Sequence, residues 1–282
     1  MKSSLVFFHF LLSLSSLAFA SEPLAVNRVQ FNGDFKQGAL IRAKTTPQSK
    51  VTLNGKTLEL SSSGEFVFGF SRDAKSNHEI KVVYPNGLTE IKPLTVNPKQ
   101  YSIQQIKGIS KKIMQPNPKA VARSKKDSKQ VREARNIHSL NKSVFGDFMW
   151  PLTGLISGVY GSQRVYNGKP GRPHYGVDVA AKTGTVVVAP ADGVVTLAVP
   201  DMFYSGGTLI IDHGYGVNSS MLHLSKLYVK KGQRISKGDK VAEVGATGRV
   251  TGPHLDWRLN WYQERLDPTS IVPDMKTAIK LN

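Results

Sequence analysis

The chain of 282 residues carries 38 Lys and Arg against 20 Asp and Glu, a formal net charge of +18, and contains no cysteine. Disulfides and thiolate metal ligands are thereby excluded, so folded stability must come from packing. Such a length, once a targeting segment is set aside, leads us to expect two compact units.

The N-terminus has the layout of a secretory signal. Met1-Lys2 is a short positive stretch, Leu5 to Leu17 is apolar, and Ala18-Phe19-Ala20 is a small-residue cleavage site. The apolar run is too short and too rich in serine for a secure membrane span, and no cysteine is available for a lipid anchor. The expected mature protein starts near Ser21, after removal of residues 1–20, and is periplasmic or secreted.

Residues 21–98 read as a β domain. Alternating runs such as Ala39-Leu40-Ile41-Arg42-Ala43 and Glu65-Phe66-Val67-Phe68 suit half-buried strands, and Asn54-Gly55 and Asn86-Gly87 are hairpin signals between them. Short strands with frequent turns suggest an immunoglobulin-like sandwich. No cluster of catalytic residue types falls there, which points to a binding or spacing module.

Residues 99–147 form a basic connector, with twelve Lys or Arg between Lys99 and Lys142 against Asp127 and Glu133, a balance of +10. Ile103, Ile106 and Ile113 suggest a short helix that Pro116 and Pro118 end. Lys119 to Leu140 suggests a second helix with a thin apolar face of Val121, Val131, Ala134 and Ile137. Few aromatics follow Tyr101 for base stacking, so nucleic acid is not the expected partner. Anionic wall polymers or a membrane surface suit this charge better, through Lys125, Lys126, Lys129 and Arg132. A solvated linker is the plainer reading.

Residues 148–273 hold the chemistry, and 274–282 form a tail. Six polar side chains stand out: His174, Asp178, His223, His254, Asp256 and Arg258. Three imidazoles and two carboxylates near glycines can bind a divalent metal and move protons around it. Residues 254–261 alternate strictly, so a strand puts His254, Asp256, Arg258 and Asn260 on one face and Leu255, Trp257, Leu259 and Trp261 on the other. His254 and Asp256 then lie about 6–7 Å apart at the backbone. His174 and Asp178 would be about 13 Å apart in an extended chain. The chain must therefore bend between them if both serve one ion, and Gly176 tolerates a bend.

Other candidates read as structural. His213, after the apolar run Leu209-Ile210-Ile211, caps a strand or supports the site; His9, His78 and His138 lie outside the motifs. Trp257 and Trp261 belong to a core, and Asp192-Gly193 is a turn. Arg258 and Asn260 share the site face, with a solvated or structural role equally open. Covalent catalysis has no candidate, since cysteine is absent and no serine sits in a nucleophile elbow.

Several stretches, in order, resemble the lysostaphin-type (LytM-type) zinc endopeptidases, which cut peptide cross-links in bacterial cell walls. They are Val159-Tyr160-Gly161, Arg172-Pro173-His174-Tyr175-Gly176-Val177-Asp178, Ala189-Pro190-Ala191-Asp192-Gly193, Ile211-Asp212-His213-Gly214, Leu222-His223-Leu224-Ser225 and Gly252-Pro253-His254. The resemblance implies a mainly β protein ending in a LytM-type antiparallel β-sheet peptidase domain, with peptidoglycan as substrate and one zinc ion as cofactor. It implies His174 and Asp178 as metal ligands and His223 and His254 as catalytic imidazoles. The family usually carries His-x-His in the last motif; here Asp256 stands at the third-ligand position. Aspartate binds zinc through oxygen at about 2.0–2.2 Å, but two carboxylates neutralise the ion's formal charge. The implied consequence is weaker activation of a bound water, and so a slower enzyme or one that accepts other metals. The alternative is a non-catalytic relative that binds and activates cell-wall amidases, which the Asp256 departure keeps open.

Overall fold

A computed structural model describes residues 28–107 and 118–281. The expected signal segment, with His9, and the stretch through Ile113 and Pro116 lie outside the described residues.

The first unit is built from β1 (Gln30–Asn32), β2 (Leu40–Lys44), β3 (Lys50–Leu53), β4 (Lys56–Leu58), β5 (Glu65–Gly69), β6 (Asn77–Val83) and β7 (Thr89–Thr95). They form one sheet in the order β1-β2-β5 and another in the order β4-β3-β6-β7. Both expected hairpins are present. Asn54 and Gly55, at φ of 49° and 79°, make the two-residue turn from β3 to β4. Around Asn86-Gly87 the Tyr84 amide donates to Leu88 O at 2.9 Å, and β6 pairs with β7. Phe66 and Phe68 from one sheet, and Val51, Ile80 and Val82 from the other, share one core.

The connector departs from its expected form at its start. Ile103–Ile106 is a strand, β8, lying parallel to β10 (Gln163–Tyr166), which also pairs with β11 (Lys169–Pro170). The open edge of β10 offers backbone groups that a four-residue helix could not satisfy so well, and tertiary pairing overrides a weak local preference. Helix α1 (Pro118–Arg135) matches the second expected helix but stops short of Leu140. Pro118 is its first residue, a position where the missing N–H costs nothing. Its thin apolar face docks, Ala134 and Val131 packing against Leu197, Met202 and Ile210.

The remaining strands are β9 (Leu155–Gly158), β12 (Val177–Ala180), β13 (Val186–Val188), β14 (Gly193–Met202), β15 (Gly206–Gly214), β16 (Val217–Leu227), β17 (Arg234–Ile235), β18 (Lys240–Val244), β19 (His254–Trp261) and β20 (Glu264–Leu266). They make a 10-stranded antiparallel sheet whose main path runs β17-β14-β15-β16-β19-β12-β9. Asp192-Gly193 turns the chain, but the strands it joins take different partners, β13 pairing with β18 and β14 with β15. Leu209, Ile211, Met221, Leu255 and Trp257 fill the core under one face. Trp257 is fully buried, whereas Trp261 is half-buried at the seam between the units. That seam is apolar, with Leu40 and Val67 of the first unit against Val217, Leu259 and Leu266 of the second. The molecule is mainly β, as the sequence leads one to expect. Among the described residues no helix is long and apolar enough to cross a membrane.

Candidate metal centre

Strand β19 spans His254–Trp261, the segment whose alternation predicts it. Its register sets Asp256 directly opposite Asp178 on β12 and opposite Leu222 on β16. Two carboxylates facing each other across a ladder repel, so this pairing calls for positive charge between them. Upstream, the chain bends as expected. His174 donates its amide to Ser162 O at 2.8 Å and accepts the Gly161 amide at 2.7 Å, which pins its backbone away from β12. Two glycines clear space for the acids. A Cβ at Gly176 would stand 2.3 Å from Asp256 Oδ1, and one at Gly158 would stand 2.2 Å from Asp178 Oδ2.

The bend brings His174 Nε2 to 3.2 Å from Asp178 Oδ1. Both atoms are buried, and neither has a hydrogen-bond partner. Donor atoms of His174, Asp178 and Asp256 all lie within 4.8 Å of one another.

Two more imidazoles face this group. His223 Nδ1 lies 2.9 Å from Thr247 O, and His254 Nδ1 lies 2.9 Å from Gly252 O. A carbonyl can only accept, so each Nδ1 carries hydrogen and each neutral ring presents a bare Nε2. The rings sit 4.9 Å apart between centroids, and His254 Nε2 is 3.8 Å from Asp178 Oδ1. His223 sits at a bulge of β16 with φ of 66°, in the left-handed region. Such a conformation costs a side-chain-bearing residue roughly 1–2 kcal/mol, and bulges re-aim side chains in this way. Its amide is held by Ser205 O at 2.8 Å. Burial pushes the His223 pKa down, which favours the neutral ring.

Arg258 is the site residue whose role sequence reasoning left open. Its Nε lies 2.9 Å from Asp256 Oδ1 and 3.1 Å from Oδ2, and its Nη2 also bonds Oδ2. Burial, the largest influence, pushes the Asp256 pKa up, yet the Arg258 guanidinium overrides it and holds the carboxyl at about 2. The signal was available in Asp-x-Arg on one face of a period-two strand. His213 is structural. It is fully buried, its Nδ1 bonding Asp192 O at 2.8 Å and its Nε2 meeting Ser219 Oγ at 2.9 Å. His78 and His138 lie away from the site, against Phe70 and Tyr262 respectively.

The donor set fits a small divalent cation. Two ligands at about 2.0–2.1 Å from a tetrahedral zinc lie about 3.3 Å apart, and the His174–Asp178 separation of 3.2 Å agrees. Partnerless buried polar atoms are costly unless something binds them. Asp256 shares its oxygens with Arg258, but Oδ1 accepts from Arg258 Nε alone and has a second lone pair to give.

A mainly antiparallel β-sheet bearing such a His/Asp/Asp group with two imidazoles defines the class as metallopeptidase-like. Residues 172–268 match the model of Peptidase family M23, so this segment is an M23 peptidase domain, and the LytM-type resemblance is borne out. Peptidoglycan DD-endopeptidase ShyA of Vibrio cholerae is 46% identical over 87 residues, 31% of this chain and 20% of that protein. Peptidoglycan DD-endopeptidase ShyB of the same organism is 44% identical over 87 residues, again 31% and 20%. The match thus spans about a fifth of the length of these relatives. A crystal structure of a Pseudomonas aeruginosa protein assigned to peptidase M23 superposes with a TM-score of 0.65 at 26% identity, covering 84% of this chain and 95% of that one.

Proposed function

We propose that this protein is a zinc-dependent endopeptidase that hydrolyses peptide cross-links of bacterial peptidoglycan outside the cytoplasm. One observation carries the reading: two buried, partnerless atoms, His174 Nε2 and Asp178 Oδ1, lie 3.2 Å apart and face imidazoles with bare Nε2 atoms. The names of the two Vibrio cholerae relatives support the substrate class.

In this reading His174, Asp178 and Asp256 hold one zinc ion, which supplies Lewis acidity toward a carbonyl oxygen and an acidified water. His223 and His254 do the proton work. One accepts the proton of the attacking water at Nε2, and the imidazolium so formed returns it to the leaving amine. The other, its Nδ1–H likewise committed to a carbonyl, can hydrogen-bond the carbonyl oxygen only once it has itself taken a proton at Nε2. Their Nδ1–H bonds to Thr247 and Gly252 fix the tautomer and aim that this requires. The two-sheet unit within residues 28–98 serves as a spacing or binding module, and the basic helix α1 as a contact for anionic wall polymers or a membrane surface.

A second reading draws on Arg258. Its grip on both Asp256 oxygens favours a non-catalytic regulator that binds and activates wall amidases. Digestion of purified cross-linked peptidoglycan by the mature chain, with zinc or with chelator, separates the two. Zinc-dependent loss of cross-linked fragments is expected. No cleavage with zinc, together with amidase stimulation unaffected by His254→Ala, would replace the enzyme with the regulator.

A further inference from the structure

A cavity of about 350 Å³ opens between helix α1 and the face of the sheet that carries the metal centre. Five arginines line it: Arg132 and Arg135 from the helix, Arg172, Arg258 on β19, and Arg265. Asp127 is the one acid in its lining, and it is engaged by the Phe203 amide at 2.8 Å. Arg258 is paired with Asp256, while Arg132, Arg135, Arg172 and Arg265 meet no carboxylate within salt-bridge distance among the described residues.

Arg135 is the buried member of this set. It is only 4% exposed, at the C-terminal end of α1, and its Nη2 bonds Ser220 Oγ at 3.2 Å. Its Nε is buried without any partner. Burial, then the charges of Arg265 and Arg258, push its pKa well down from the ordinary guanidinium value. A buried cation among like charges is an unfavourable arrangement unless an anion joins it. Guanidinium forks match planar carboxylates in two-point hydrogen bonding.

The cavity also continues the metal centre. Arg172 is two residues before His174, Leu222 is next to His223, and Arg258 reaches from the cavity to Asp256. Ser205, another lining residue, holds the His223 amide. Arg258 thus borders both the cavity and the metal centre.

We propose that this arginine-lined cavity binds a free carboxylate of the peptide substrate, close to the amide to be cut, with Arg135 as its buried anchor. The chain then prefers peptides that carry such a carboxylate over those in which it is amidated. The identity of the ligand rests on the peptidase reading, whereas the anionic character of the site rests on the cavity alone.

The test is binding without turnover. The full mature chain, with chelator present, is titrated with acetyl-alanyl-alanine, with its C-terminal amide and with inorganic phosphate. Readouts are affinity and the NMR signal of the Arg135 Nε–H group. The free acid is expected to bind at least tenfold more tightly than the amide and to shift that signal. Arg135→Gln, and separately Arg265→Gln, should bring acid and amide within twofold of each other. Equal binding of acid and amide to the wild-type chain would overturn the proposal without recourse to any variant. So would phosphate shifting the Arg135 signal when the acid does not. A chain that selects the acid but cleaves no peptidoglycan would sink the hydrolase reading and leave the cavity's role intact.

Discussion

Arg258 grips both carboxylate oxygens of Asp256, two residues away on the same face of β19. This pair changes what the Asp256 departure means. A divalent ion with two carboxylates is formally neutral; adding the adjacent guanidinium restores one positive charge to the cluster. That is the balance of a site with a single carboxylate. The pair thus keeps the formal charge of a one-carboxylate site, even as Arg258 competes with a metal for the same oxygens.

Asp256→His by itself is therefore expected to gain nothing. It leaves a buried guanidinium without its partner beside a dication, and breaking such pairs costs about 3–5 kcal/mol when fully buried. Arg258 keeps 24% of its side chain exposed, so a loss of about 2 kcal/mol is the expected scale. Asp256→His combined with Arg258→Gln should recover that loss and bind zinc at least as tightly as wild type. Denaturant melts and zinc titrations of both variants check this. A single variant that is fully stable and binds zinc more tightly would contradict it.

The two glycines that make room for the acids give a second prediction. Gly176→Ala and Gly158→Ala place a methyl 2.3 Å from Asp256 Oδ1 and 2.2 Å from Asp178 Oδ2, well inside contact distance. The carboxylate must swing away in each, and zinc affinity should fall at least 10-fold, the scale seen when groups that orient a ligand are lost. Calorimetric zinc titration reads the effect directly. Unchanged affinity would mean the carboxylates are not held where they are needed.

Stability against acid depends on His213. Burial drives its pKa down to about 4 in the folded chain, against about 6.5 when unfolded. The unfolded chain takes up this proton first, so the neutral ring's contribution is complete above about pH 6.5 and is lost as pH falls toward 4. About 3 kcal/mol should disappear across that window. In His213→Gln the pH slope should be flatter by that amount, whatever the variant's stability at pH 7. Asp212 beside it has a pKa raised by burial, but it is common to both proteins and drops out of the difference. Identical slopes in urea melts from pH 7 to 4 would refute the assignment.

Lys125, Lys126 and Lys129 are exposed on α1, away from its docked residues Ala134 and Arg135. Changing all three to Gln should weaken sedimentation with purified cell walls at low salt and leave hydrolysis of a soluble peptide as it was. Arg132 is spared because it lines the arginine cavity. Wall binding that persists unchanged would remove the helix from the account.

The most legible parts were those governed by a short-range rule. The alternation of residues 254–261 marked β19 and its faces, Asn54-Gly55 marked a hairpin, and the need for a bend at Gly176 followed from the reach of an extended chain. What could not be read depended on the third dimension. Ile103–Ile106 became a strand because β10 had an open edge, and α1 docked through two small apolar residues too few to announce it. The left-handed backbone of His223 has no sequence mark at all, since glycine or asparagine is the usual occupant there. Arg258 was placed on the right face, but its commitment to Asp256 rather than to water follows from burial.

The central claim is that Asp256, while held by Arg258, completes a metal site with His174 and Asp178. Anomalous diffraction at the zinc edge from zinc-soaked crystals tests it most directly. One strong peak is expected, bonded to His174 Nε2 and to oxygens of both Asp178 and Asp256, at about 2.0–2.2 Å. No peak among these residues at saturating zinc, or a peak that leaves Asp256 with Arg258 alone, would contradict it.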